Sequence, residues 1–203
     1  MTELVINSDH GTLSATLSLP HEHAHMEKLT SAFASVGIAS LRFNFPFKEQ
    51  GRNRVDSKSV SIDCIVSASA TLQSQTQLPM FVGGHSFGGR MVTHAAADKA
   101  LDCCGLVLCS FPLHPAGKPG IDRVAHFGDI RQPALFLSGT RDALADSNLL
   151  TDQVKKLSAD AELHWLDTAD HAFRILKRTR KSELDVYEEA ANVAASFTSD
   201  ALS

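Results

Sequence analysis

No apolar run in this chain is long enough to cross a bilayer, and Met1-Thr2-Glu3-Leu4 has neither the basic nor the apolar region of a signal peptide. These absences predict a cytoplasmic protein with no membrane partner. Cysteine is scarce, and the four present (Cys64, Cys103, Cys104 and Cys109) lack metal-finger spacing. They read as small hydrophobes kept reduced. Positive charge is not in excess either: a net charge of −4 gives no ground for a nucleic-acid partner. Repeats, low-complexity tracts and linkers are missing. A chain of 203 residues with 43% hydrophobic content therefore predicts one domain, residues 1–203, with a sizeable core.

What is present centres on Phe81-Val82-Gly83-Gly84-His85-Ser86-Phe87-Gly88-Gly89-Arg90. An apolar run ends in glycines, turns at a serine and continues into an alanine-rich segment. Met91, Val92, Ala95 and Ala96 place an apolar stripe on a helix after the turn. Gly84-His85-Ser86-Phe87-Gly88 fits G-x-S-x-G, a pattern that holds a serine on a strained strand-to-helix turn. The glycines two residues to either side are expected to be needed because a Cβ there would collide with the turn. The pentapeptide alone is a weak signal, so its surroundings carry the reading.

Along the chain, Glu3 to Asn7 and Thr12 to Leu19 alternate across a polar turn and predict a hairpin. Glu27 to Val36 reads as a helix stopped by Gly37, Ile38 to Phe43 as a strand, and Lys48 to Arg54 as a polar loop. Asp56 or Ser57 caps a helix to about Gln75. Gly105 to Cys109, Ala134 to Leu137 and Glu162 to Leu166 are short buried strands. A Pro- and Gly-rich loop, Ser110 to Gly120, a short helix from Ile121 to Phe127 and a helix from about Asp146 to Leu157 lie between them. Ser182 opens the last helix with a capping pattern to Asp185, and Leu184, Tyr187, Ala191, Ala194 and Phe197 share one face. Short strands alternating with helices predict an α/β fold: a mainly parallel, doubly wound sheet with ligands beyond the carboxyl ends of its strands.

A serine hydroxyl needs a base, and the base an orienting acid. Asp142 follows the Ala134 to Leu137 strand and His171 follows the last strand, in the chain order Ser, acid, His. The rival base is His114; His164 lies inside a strand. The rival acids are Asp146, a plausible helix cap, Asp167, and Asp170, which adjoins His171. His21-Glu22-His23-Ala24-His25 has alternating histidines but no complete ligand set, so an exposed polar loop is expected and no metal. Lys177-Arg178-Thr179-Arg180-Lys181 precedes an acidic helix and reads as a solvated, self-compensating surface.

With these three residues in place, the chain resembles α/β-hydrolases. It is most similar to small bacterial hydrolase-like proteins related to the testis-expressed and NSL-complex subunit domains, and more distantly to dienelactone hydrolases. The matching segments are Gly37 to Pro46, Gly83 to Arg90, Phe111 to Gly120, Leu137 to Asp142 and Ala169 to Phe173. The resemblance implies Ser86 as nucleophile, Asp142 as acid and His171 as base and supplies no substrate; a serine hydrolase with that triad takes a small-molecule acyl substrate and requires no cofactor. Such proteins carry an apolar strand and a His-Gly-rich loop before the first helix; here Leu19-Pro20 runs directly into His21 to Met26. The expected fold is therefore an α/β-hydrolase with a minimal lid and a strand missing near Pro20, leaving two strand edges bare. The Phe87 N–H is then the one identified oxyanion donor, joined by a second only if the Pro20 to Met26 segment supplies it. Three functions follow from this reading: a serine hydrolase of esters, thioesters or lactones, a hydrolase-like binding or scaffold protein with little turnover, and a domain that binds an anion at the turn.

Overall fold

The computed structural model describes residues 3–8, 11–16, 24–157 and 159–203. Strands β1 (Glu3–Ser8) and β2 (Gly11–Thr16) form the expected antiparallel hairpin, with Asn7 opposite Thr12. Pro20 and its neighbours to His23, on which the missing-strand expectation turns, lie outside the described residues. Helix α1 (Ala24–Ser35) follows, and Gly37, at φ 85°, ends the turn behind it. Strand β3 is only Arg42–Phe43, paired antiparallel to β2. The strand expected from Ile38 to Phe43 is thus cut to its last two residues, the two that find a ladder partner. Pro46 then starts a one-turn helix, α2 (Pro46–Glu49), where a loop was expected; proline suits a first helical position.

Helix α3 (Lys58–Gln73) is capped by Ser57, whose Oγ accepts from the Val60 N–H at 3.3 Å. Asp56 instead accepts from the Phe47 N–H and pairs with Arg52, pinning the loop before the helix. Strand β4 (Phe81–His85), helix α4 (Phe87–Ala97), strand β5 (Gly105–Cys109), strand β6 (Ala134–Gly139), helix α5 (Ser147–Val154), strand β7 (Ala161–Leu166) and helix α6 (Val186–Asp200) complete the chain. Two single 3₁₀ turns, Asp122–Val124 and Phe127–Asp129, replace the expected Ile121 to Phe127 helix. Helix α6 starts four residues later than Ser182 suggests. Asp185 caps it by accepting from the Tyr187 N–H at 2.9 Å, which leaves Leu184 outside the helix and exposed.

Strands β4, β5, β6 and β7 form a parallel sheet in that order, and β1, β2 and β3 an antiparallel one. Alternation along the parallel strands divides the core. Leu106, Leu108 and Phe136 meet Ile65, Met91, Val92 and Leu150 from α3, α4 and α5. On the opposite face, Cys109, Leu135, Leu137 and Leu166 meet Leu29, Ala190, Ala194 and Phe197 from α1 and α6. Helices on both faces of a parallel sheet make the fold doubly wound, as expected. Among the described residues β3 pairs only with β2, and β4 only with β5. No ladder joins the two sheets among the described residues, and the chain between β2 and α1 on which the expected bare edges turn, residues 17–23, lies outside them.

The cysteines are free. Burial pushes the Cys109 thiol up to about 12 and that of Cys103 up to about 11, so both are inert apolar fillers at neutral pH. Arg180 departs from the solvated surface expected of its basic run. Its side chain is buried, donating to the Asp167 carbonyl and pairing with Glu189 of α6. Among the described residues, no helix is long and apolar enough to cross a membrane.

Candidate active site

Ser86 links the end of β4 to the start of α4, at φ 53° and ψ −116°. That conformation costs a non-glycine residue about 1–3 kcal/mol and persists only where the surroundings enforce it. Here the enforcement is steric. A Cβ on Gly84 would lie 2.7 Å from the Gly88 carbonyl carbon, and one on Gly89 would lie 2.7 Å from the Gly84 oxygen. Strand and helix therefore touch backbone to backbone at Gly84 and Gly89. Gly88, the glycine of the pentapeptide, meets nothing nearer than a Phe45 ring carbon at 3.9 Å. The expectation that both flanking glycines are sterically required is thus corrected: the second is Gly89. Gly89→Ala is expected to lower stability by about 2–3 kcal/mol, whereas Gly88→Ala stays within about 0.5 kcal/mol of the parent. Urea midpoints of the two variants check this.

Asp142 lies three residues beyond β6, and His171 five residues beyond β7, at the same carboxyl edge as Ser86. His171 Nδ1 stands 2.8 Å from Asp142 Oδ2, and His171 Nε2 stands 2.8 Å from Ser86 Oγ. The Asp142 side chain is fully buried, and its Oδ1 accepts from the Leu144 N–H at 2.8 Å. An ionised carboxylate held this way takes a proton donor from Nδ1, which leaves Nε2 bare to accept from the serine hydroxyl. All three residues picked from the sequence therefore meet.

The rivals have other work. His114 Nε2 accepts from the Asp146 N–H at 2.9 Å, which requires the proton on Nδ1, and Nδ1–H donates to the Pro115 carbonyl at 2.9 Å. Asp146 caps α5 through the Leu149 N–H. Asp167 accepts from the Lys181 N–H, and Asp170 from the N–H groups of Ala172 and Arg174. His164 pairs with Glu189. The expected loop of alternating histidines, His21 to His25, lies outside the described residues except for its end. His25 itself is turned inward, with Nδ1 3.0 Å from the Tyr187 hydroxyl. No group of three or more metal-ligating side chains occurs among the described residues.

Sequence reasoning missed His85, the variable residue before the serine. Its Nε2–H donates to the His171 carbonyl at 2.8 Å, tying the strand that ends at Ser86 to the loop that carries His171. His25 packs edge-on against the His85 ring at 4.5 Å and against Phe173 at 4.9 Å. Burial, then the charges of His85 and His171, lower the His25 pKa from 6.5 to about 4. Burial, then His94, lower His126 likewise to about 4; His126 stacks on His94 at 3.7 Å and bonds Thr93 through Nε2. Unfolded imidazoles take up protons near 6.5 and these folded ones only near 4. The unfolded state binds more protons between those values. Stability is thus fully present above about pH 6.5 and falls as pH drops toward 4. With partial exposure discounted, each histidine is expected to cost about 1 kcal/mol by pH 5. Urea midpoints at pH 7.5 and pH 5 check this, and the decline is expected to shrink in His126→Gln.

Phe87 is the first residue of α4, and the first intrahelical bond is Arg90 N–H to the Ser86 carbonyl at 3.1 Å. The Phe87 N–H has no helical partner and sits beside Ser86, where an oxyanion would form. A cleft of about 410 Å³ reaches Ser86 and Phe87 between β3 and β4, with Met26 of α1 also on its wall. Phe111, Pro112, Leu113 and His114, at the start of the short Ser110 to Gly120 loop from which a minimal lid is expected, are buried.

A parallel sheet wound on both faces, a serine on a strained strand-to-helix turn and an acid and histidine at the same edge define an α/β-hydrolase. A family model described as alpha/beta hydrolase domain matches residues 18–199, and the chain belongs to that family. Among solved structures, a dienelactone hydrolase from Anabaena variabilis is 15% identical, with TM-score 0.74, covering 98% of this chain and 96% of its own. The esterase domain of a Rhodothermus marinus protein is 17% identical, with TM-score 0.68 and 97% of each chain covered. A lidless serine hydrolase from Xanthomonas campestris is 20% identical, with TM-score 0.66, covering 95% of this chain and 94% of its own. At these identities the likeness is one of fold.

Proposed function

We propose that the protein is a serine hydrolase of esters, thioesters or lactones, acting through an acyl-enzyme. The observation that carries this is the continuous chain of contacts, Ser86 Oγ to His171 Nε2 and His171 Nδ1 to Asp142 Oδ2, each at 2.8 Å. Ser86 Oγ attacks the carbonyl carbon as His171 Nε2 takes its proton. The carbonyl electrons move to oxygen, and the Phe87 N–H stabilises the oxyanion. When the tetrahedral species collapses, the bond to the leaving group breaks and His171 gives that group the proton. Water then repeats the sequence against the acyl-enzyme, releasing the acid and restoring Ser86. Asp142 holds the imidazole in the accepting tautomer and stabilises the imidazolium that forms at each step.

The dienelactone hydrolase and esterase relatives support acyl chemistry without fixing a substrate. A binding or scaffold role has one observation in its favour: the Phe87 N–H is the single identified oxyanion donor, and loss of one donor costs about a hundredfold to a thousandfold. The anion-site reading makes no use of Asp142 and His171, which stand beside Ser86. Turnover of p-nitrophenyl butyrate separates the readings. The hydrolase reading expects steady release of p-nitrophenol above the uncatalysed rate; folded protein that releases none contradicts it and favours the scaffold.

A further inference from the structure

We propose that His85 is a positioning residue for the reaction: by holding the main chain of His171 it sets the distance between base and nucleophile. The inference rests on the serine-hydrolase reading above. Three side chains meet at hydrogen-bond distance only if each has an anchor of its own. Ser86 is anchored in the sheet, where its N–H donates to the Cys109 carbonyl at 2.9 Å. Asp142 is anchored through its buried carboxylate, which the Leu144 N–H holds at 2.8 Å. His171 lies five residues beyond β7, in a loop, and loops are the more mobile parts of a fold.

Most hydrogen bonds of that loop face away from Ser86. Asp170 Oδ1 accepts from the N–H groups of Ala172 and Arg174, and the Asp170 N–H donates to the Arg174 carbonyl at 2.9 Å, so this turn is closed on itself. The Thr168 N–H donates to the Thr140 hydroxyl at 2.8 Å. Arg141 donates its backbone N–H to the Ala169 carbonyl and a guanidinium N–H to the Thr168 carbonyl. These bonds tie the loop to the end of β6, on the Asp142 side. Toward β4, the described residues offer one hydrogen bond besides the contact of His171 with Ser86: His85 Nε2–H to the His171 carbonyl at 2.8 Å. It ends on the residue that has to be placed, and it starts from the residue next to the nucleophile. A carbonyl only accepts, so Nε2 of His85 carries the proton. The His85 ring is itself held by packing, with centroids 4.5 Å from His25, 5.1 Å from His171 and 6.4 Å from Phe173. His171 is thus fixed at Nδ1 by Asp142, at its carbonyl by His85, and meets Ser86 with Nε2. A misplacement of about 1 Å at a reacting group costs about 100-fold in rate.

The test compares kcat and KM for p-nitrophenyl butyrate in the parent, His85→Phe and His85→Gln. Phenylalanine keeps a ring against His25 and Phe173 but cannot donate. Glutamine has no ring but keeps an N–H donor at a similar reach. The positioning role expects kcat to fall about 100-fold in His85→Phe with KM within about twofold of the parent, and to recover to within about tenfold of the parent in His85→Gln. A packing role alone gives the opposite order. An active parent with His85→Phe at its rate, or with His85→Gln no faster than His85→Phe, overturns this inference and leaves the hydrolase reading intact. A parent that turns over no ester contradicts the hydrolase reading, and this inference with it. Where either variant fails to fold, long-range proton–nitrogen correlation spectra of the ¹⁵N-labelled parent decide. They read which nitrogen of His85 is protonated. A proton on Nε2 is the expected result; a proton on Nδ1 alone leaves nothing to donate to the His171 carbonyl and overturns the inference.

Discussion

Ser86→Ala is expected to remove ester turnover almost completely, by about 10⁵–10⁶-fold in kcat, while the protein stays folded. The reason is that the acyl-enzyme cannot form without Oγ, and the remaining groups supply only binding and one oxyanion donor. The same position makes a second measurement possible. Ser86 sits at φ 53°, in a conformation that favours glycine. Ser86→Gly should therefore be as inactive as Ser86→Ala yet more stable than the parent, by about 1 kcal/mol. A gain in urea midpoint alongside lost activity would show that the strain is retained for the reaction rather than for the fold. Turnover within tenfold of the parent in Ser86→Ala would remove the serine from the mechanism.

Asp142→Asn is expected to lower kcat by about 10⁴-fold with little change in KM. The residue's two oxygens have separate partners, Leu144 N–H on Oδ1 and His171 Nδ1 on Oδ2. An amide can keep the first bond through its oxygen. Its NH₂ then faces His171 and can only donate, which forces the imidazole proton to Nε2, where it can no longer accept from Ser86. The substitution thus changes a tautomer while leaving the shape in place. Raising pH should not restore the rate, because the fault is in which nitrogen carries the proton. A variant within tenfold of the parent would mean that another group orients His171.

How far the sequence reveals this site depends on whether each feature is local. Ser86 announces itself through glycines within three residues, and Asp142 and His171 through their places after strands whose apolar runs are short and cleanly bounded. Those are short-range patterns, and they lead to three side chains that meet. His85 is different: its partner is a carbonyl 86 residues away, and nothing in the neighbourhood of His85 signals it. Gly89 is needed because the helix crosses within contact of the Gly84 carbonyl, a matter of packing rather than of motif. Arg180 looks like one of five polar residues in a run, but Glu189 and the Asp167 carbonyl draw it inside.

The shortage of chain between Leu19 and Met26 reads in the sequence as a missing element, and that stretch up to His23 lies outside the described residues. That β3 shrinks to Arg42–Phe43 depends on which residues find a ladder partner on β2, a long-range matter that the apolar run from Ile38 does not signal. Two donors complete most oxyanion sites of this type, and one is identified here. The account therefore predicts an enzyme whose kcat is modest.

The central claim is that Ser86 is a nucleophile activated by His171. Treatment with a fluorophosphonate, followed by intact-mass and peptide mass spectrometry, tests it most directly. The account predicts one adduct per chain, on the peptide that carries Ser86, and none in Ser86→Ala. A folded protein that gains no mass, or an adduct that persists in Ser86→Ala, would contradict it.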